Sequence, residues 1–138
     1  MLKHLIVLAT LSVSIAQAGE LTFITSAVNT ATGQTYKAYI DQSTIHREGD
    51  YESVKLVSIY EHPITAAGFK GVKFMVNTFQ MNCHRHVKRV TYIAFLDANE
   101  KVIVDKKYPD ARDEPLGTNS VDRMVEPYLC IHLTDPVK

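Results

Sequence analysis

The chain has 138 residues, with 15 Lys plus Arg against 15 Asp plus Glu and 46% hydrophobic residues, but only 6 Gly and 5 Pro. Those figures fit one packed domain and exclude a disordered tail or a collagen-like fibre. The balanced charge disfavours nucleic acid as a partner, because neutralising a phosphate backbone needs a net basic surface.

Residues 1–18, MLKHLIVLATLSVSIAQA, carry the pattern of an export signal: a basic start at Lys3, an apolar run from Leu5 to Ile15, and small residues at Ala16 and Ala18. The apolar run falls short of the roughly 20 residues a membrane span needs, so no membrane span is expected. Cleavage is expected before Gly19, leaving residues 19–138 as a single domain. Loss of Lys3 brings the net charge of that domain to about −1. No cysteine follows the cleavage point. The expected location is therefore the periplasm or the cell surface, without a lipid anchor.

Beyond the signal the pattern has a period near two and is rich in β-branched and aromatic residues, predicting strands at residues 21–26, 35–40, 51–62, 72–83, 87–97 and 101–108. Turn signals separate them at 29–33, 48–50, 63–68, 82–86 and 97–100. The connections leave no room for a helical crossover, so successive strands should pair antiparallel as a meander. Near the end the period changes. Val121, Met124, Val125, Tyr128 and Leu129 make the stripe of an amphipathic helix, with Asn119 or Ser120 as its cap. Pro127 predicts a kink or break near residues 123–126.

In an oxidising compartment the two cysteines, Cys83 and Cys130, are expected to pair. Such a bond closes a loop of about 48 residues and stabilises by roughly 4 kcal/mol in the chain-entropy model. The fold class expected is therefore α+β: an antiparallel meander of about six strands with a C-terminal helix pinned to one face by the disulfide. Met75, Phe79, Met81 and Cys83 share the face the helix should cover. Val72, Phe74 and Val76 share the other face. The next strand places Val90, Tyr92, Ala94 and Leu96 on one side and Ile93 and Phe95 on the other. One helix cannot cover both faces, so the N-terminal strand, a ligand or a second chain must cover the rest, and a homodimer is the favoured expectation.

The segment from Tyr39 through Asp41, Ser43, Ile45, Arg47 and Gly49, followed by a long strand, a strand ending in Cys83 and a helix carrying Cys130, resembles the surface-adhesin protein E family of Gram-negative bacteria. The resemblance runs from about Phe23 to Cys130, although Phe23 stands where many relatives have Trp. Within the motif, Asp41 and Ser43 can bond backbone groups in a tight turn, Ile45 returns to the core and Gly49 permits a hairpin. The resemblance implies a sheet with the helix held on its concave side by the disulfide. It also implies binding of host extracellular matrix or plasma proteins.

The one concentrated chemical feature is Cys83-His84-Arg85-His86-Val87-Lys88-Arg89. His84, Arg85, His86, Lys88 and Arg89 are candidate binding residues for acidic host proteins, glycans or anionic lipid headgroups, against the alternative of a solvated turn whose cations pair with acids elsewhere. On a regular strand His84 and His86 would point the same way and could share a metal or haem, with a third ligand sought from His62, His132 or a carboxylate. Nothing local supplies that ligand, and no cofactor is expected. His46 and Arg47 read as structural, and Asp110, Arg112, Asp113 and Glu114 as a solvated connection. Motifs for catalysis are lacking, with no H-E-x-x-H, no G-x-S-x-G and no phosphate-cradling Gly loop, so a non-catalytic protein is expected. Two functional readings stand: an adhesin-like module for host extracellular proteins, or a periplasmic structural or interaction protein without a host ligand.

Overall fold

Hydrophobic and polar residues alternate through most of the chain, and the strands they form join in sequence order. The computed structural model describes residues 20–131. The predicted export signal and His132 lie outside the described residues. The strands are β1 (Leu21–Val28), β2 (Thr35–Glu48), β3 (Tyr51–Ala66), β4 (Phe69–Asn82), β5 (Val87–Leu96) and β6 (Val102–Lys107). They pair antiparallel in the order β1-β2-β3-β4-β5-β6, the expected meander. A short seventh strand, β7 (Glu114–Pro115), pairs with β5 through Val87↔Pro115 and Lys88↔Glu114. Helix α1 (Ser120–Cys130) closes the described chain.

Strands β2 and β3 run furthest beyond the sequence pattern, and both do so through bulges. In β2 the ladder shifts between Asp41 and His46. Asp41 Oδ1 accepts from the Ser43 N–H and hydroxyl, Thr44 Oγ1 donates to the Asp41 carbonyl at 2.7 Å, and Thr44 Oγ1 accepts from the Lys55 N–H at 2.9 Å. The expected tight turn is thus a bulge inside one strand, and the hairpin follows at Gly49 (φ +64°). In β3 the ladder shifts between Ile59 and Ile64, which seats Pro63 where no ladder bond is asked of it. The turn there shrinks to Ala67 and Gly68, both with positive φ, as a two-residue type I′ hairpin requires.

Helix α1 starts at Asn119, whose Oδ1 accepts from the Asp122 N–H at 2.9 Å. Its buried Val125 and Leu129 pack on Ile24, Ala38, Ile40, Val54, Leu56, Phe79 and Met81. Met124, expected in this stripe, is exposed, and Asp122 is buried in the first turn instead. No break occurs at residues 123–126: Pro127 lies on the exposed side of a continuous helix. Its missing N–H costs one backbone bond, while Val125 and Leu129 anchor the turns on either side of it. Cys130 is bonded to Cys83 at a Cα–Cα distance of 5.7 Å, tying the last turn to the end of β4.

The two faces are sorted as alternation dictates, with two exceptions. Val90 packs on the helix side, because the β4–β5 ladder shifts between Thr78 and Phe79 and flips the start of β5. Met75 and Val72 meet in a third cluster with Tyr60, Ile64 and Phe95. On the face away from the helix Val57, Val76, Ala94 and Leu96 are buried beneath their own larger neighbours Leu21, Tyr39, Ile59, Phe74 and Tyr92. Among the described residues no helix is long and apolar enough to cross a membrane.

Candidate functional site

The hairpin from β4 to β5 turns on Asn82, whose Oδ1 accepts from the His84 and Arg85 N–H groups, both at 3.1 Å. His86 then takes φ +54°. With Cys83 anchored by the disulfide, the turn projects His84, Arg85 and His86 into solvent. His84 and His86 are therefore turn residues rather than neighbours on one strand face, and the shared-ligand geometry expected of a strand is not formed. Among the described residues no group of three His, Cys, Asp or Glu side chains is placed to hold a metal ion.

Among the described residues each of the predicted cations except His84 meets a side-chain partner. Arg85, its side chain 57% exposed, donates to Asp113 Oδ2 at 3.1 Å and to the Tyr51 hydroxyl at 3.0 Å. His86, 69% exposed, lies 3.5 Å from Glu126 of α1. Lys88 points to the helix side, where its Nζ donates to Asp122 Oδ2 at 2.6 Å. Arg89 points to the opposite face: its Nε donates to Gln80 Oε1 at 2.8 Å and its guanidinium lies 3.7 Å over the Tyr51 ring. Strand alternation thus divides the two adjacent cations between faces.

The Arg89 contacts belong to a chain of planar polar groups along the sheet. Gln80 Nε2 donates to Glu48 Oε1 at 2.6 Å, and the Tyr51 hydroxyl donates to Asp113 Oδ1 at 2.6 Å. The Tyr51 hydrogen bond, followed by the hydrogen bond and charge of Arg85 and the charge of Arg89, holds the Asp113 carboxyl below the usual carboxylate range, and the Tyr51 bond also raises the Tyr51 phenol. Asp113 therefore bridges two elements, where the sequence pattern suggested only a solvated connection. Asp122 was likewise hidden. Its Oδ2 also accepts from the Gly117 N–H at 2.7 Å, so one buried carboxylate joins β5, the approach to the helix and the helix itself. No sequence signal distinguishes these two acids from the other acids around them. As expected of structural residues, His46 Nδ1 bonds the Thr44 carbonyl at 2.8 Å and Arg47 pairs with the buried Glu52 at 2.8 Å.

The sequence model of the surface-adhesin protein E family matches residues 26–131, spanning the sheet, the bulge motif and the helix. The chain belongs to the surface-adhesin protein E family. No curated protein and no solved structure matches it. Membership makes this adhesin domain an exported protein with a surface-adhesin-like binding role, and points to binding rather than catalysis. What the domain can offer a partner is a rigid sheet, a disulfide-anchored turn carrying positive and titratable groups, and a polar face around Arg89.

Proposed function

We propose that this adhesin domain docks acidic surfaces of host extracellular proteins, with His84, Arg85 and His86 at the tip of the β4–β5 turn making first contact and Lys88 and Arg89 supporting the site from behind. The observation that carries the reading is the exposed turn itself. Three groups that are positive or can become so project from a turn whose backbone is anchored by Asn82 and Cys83, in a family of surface adhesins. Exposed charges of this kind steer encounter more than they hold the complex. Replacing His84, Arg85 and His86 with Ser or Gln should therefore slow association with immobilised vitronectin or laminin, and raised salt should mimic the loss in the parent protein. Binding indifferent both to these substitutions and to salt overturns the assignment of the turn.

Surface display belongs to the same proposal. Protease added to intact cells destroys a displayed adhesin and spares a periplasmic protein, the second reading. The domain also acts as a homodimer in this proposal, because Phe23, 50% exposed, stacks edge-on against Tyr39 at the margin of the apolar face opposite the helix.

A further inference from the structure

A groove of about 760 Å³ crosses the face of the sheet away from α1 and is bounded on one side by residues 108–111. Its size lies within the range of small-molecule sites. Alternation places Ser53, Thr78 and Arg89 on this face, and the ladder brings Lys107 beside Tyr92.

Donors and acceptors interleave along the groove, and they are not equally committed. Glu48 already accepts from Gln80, and Asp105 accepts from the Tyr92 hydroxyl at 2.9 Å. Among the described residues Lys107 forms no ion pair, and Arg89 hydrogen-bonds and stacks on neutral groups, the Gln80 amide and the Tyr51 ring, with the Asp113 carboxylate near enough to feel its charge but not bonded to it. The ring and the amide hold the guanidinium in place from one side, leaving its terminal nitrogens to donate elsewhere. Thr78 and Thr91 add hydroxyls, and Tyr92 and Tyr108 add aromatic surface. Ser53, which also lines the groove, is 1% exposed and its Oγ has no hydrogen-bond partner, an uncommon state for a buried hydroxyl.

We propose that this groove binds a saccharide bearing a carboxylate. Sugar hydroxyls both donate and accept, which matches the interleaved Thr, Glu48 and Asp105 groups, and the C–H face of a pyranose packs on tyrosine rings. The carboxylate goes to Arg89 and Lys107, neither of which is ion-paired among the described residues, since charge-assisted hydrogen bonds from a fixed guanidinium are the strong ones. This site lies on a sheet face, apart from the tip of the turn, and it stands whether or not the turn docks a host protein. Arg89 is the one residue common to both.

The test uses the secreted domain and nuclear magnetic resonance titration with three probes: 3′-sialyllactose, a hyaluronan-derived disaccharide containing glucuronate, and neutral lactose. Saturable shifts of groove resonances with at least one acidic probe, absent with lactose, are expected. The probe that binds distinguishes a sialylated glycan from a uronate polymer as the source. Lys107→Gln, at an exposed position, should keep the fold and weaken binding roughly tenfold, the loss of one charge-assisted hydrogen bond. Arg89→Gln should weaken it at least as much, and Arg85→Gln should leave it unchanged. Silence with both acidic probes, equal shifts with lactose, or indifference to Lys107→Gln in a folded protein overturns the proposal.

Discussion

Asn29, Asp41, Asn82, Asp97 and Asn119 each accept a hydrogen bond from a backbone N–H two or three residues on, and together they set hairpins, the β2 bulge and the helix start. At the residue scale such turns are legible, because a short polar side chain reaches only its own neighbourhood. Asp122 is the contrary case. Beside the nearby Gly117 N–H its partner is Lys88, a distant residue on β5, so its role follows from where α1 lands. Asp122→Ala should destabilise by about 2–3 kcal/mol in urea unfolding, because it leaves a largely buried ammonium and a backbone N–H without their acceptor. Asp122→Asn, which keeps an oxygen, should cost less, and an Ala variant of parental stability would deny the carboxylate its structural role. Tyr92 gives a pH signature. Burial first, then the hydrogen bond and charge of Asp105, raises its phenol well above the ordinary value of 10.0. A raised folded-state pKa contributes stability that is complete below the unfolded value and lost as pH rises through the folded one. Melting temperatures should therefore fall between about pH 10 and pH 12, and Tyr92→Phe should flatten that fall.

At the scale of elements the disulfide and the helix act as one unit. Helix α1 has 11 residues, and an isolated helix of that length is marginal in water. Its stability comes from Val125, Leu129 and the bond to Cys83. Cys130→Ser should lower stability by about 2–5 kcal/mol, with the amides of α1 exchanging with solvent before those of the sheet. Uniform loss of protection would show instead that helix and sheet open together. The helix was legible from its period, and its faces only partly so. Met124 sits on the predicted stripe yet is exposed, while Asp122 off the stripe is buried, because Lys88 offers a charge partner on the sheet. The strand faces were misread where bulges intervene, since one extra residue at Thr91 moves Val90 to the other side.

At the scale of the whole molecule, one helix on one face leaves the other face to cover itself. Small buried residues there, Val57, Val76 and Ala94, lie beneath Tyr39, Ile59 and Phe74. That face is dry at its centre without a second chain, and the homodimer proposed above must gain from its margin, where Phe23 is exposed. Light scattering at tens of micromolar should give twice the mass of the chain, and Phe23→Ser should shift the equilibrium toward monomer. A parental protein of monomer mass at that concentration overturns the dimer.

The sequence alone determined the meander order, the terminal helix, a cap at Asn119 or Ser120 and the pairing of Cys83 with Cys130. These follow from local periodicity, short connections and the chemistry of thiols in an exported chain, none of which needs knowledge of distant neighbours. Only the tertiary structure decided what Arg85, Lys88 and Arg89 meet: the Asp113 loop, the helix and the Tyr51 ring on the sheet face. The physical reason is that a charged side chain takes the partner its surroundings place within reach, and those surroundings are set by where the helix packs and by bulges that shift register. Alternation parts Lys88 from Arg89, but neither the run of five candidate residues nor its spacing names the partner each one meets.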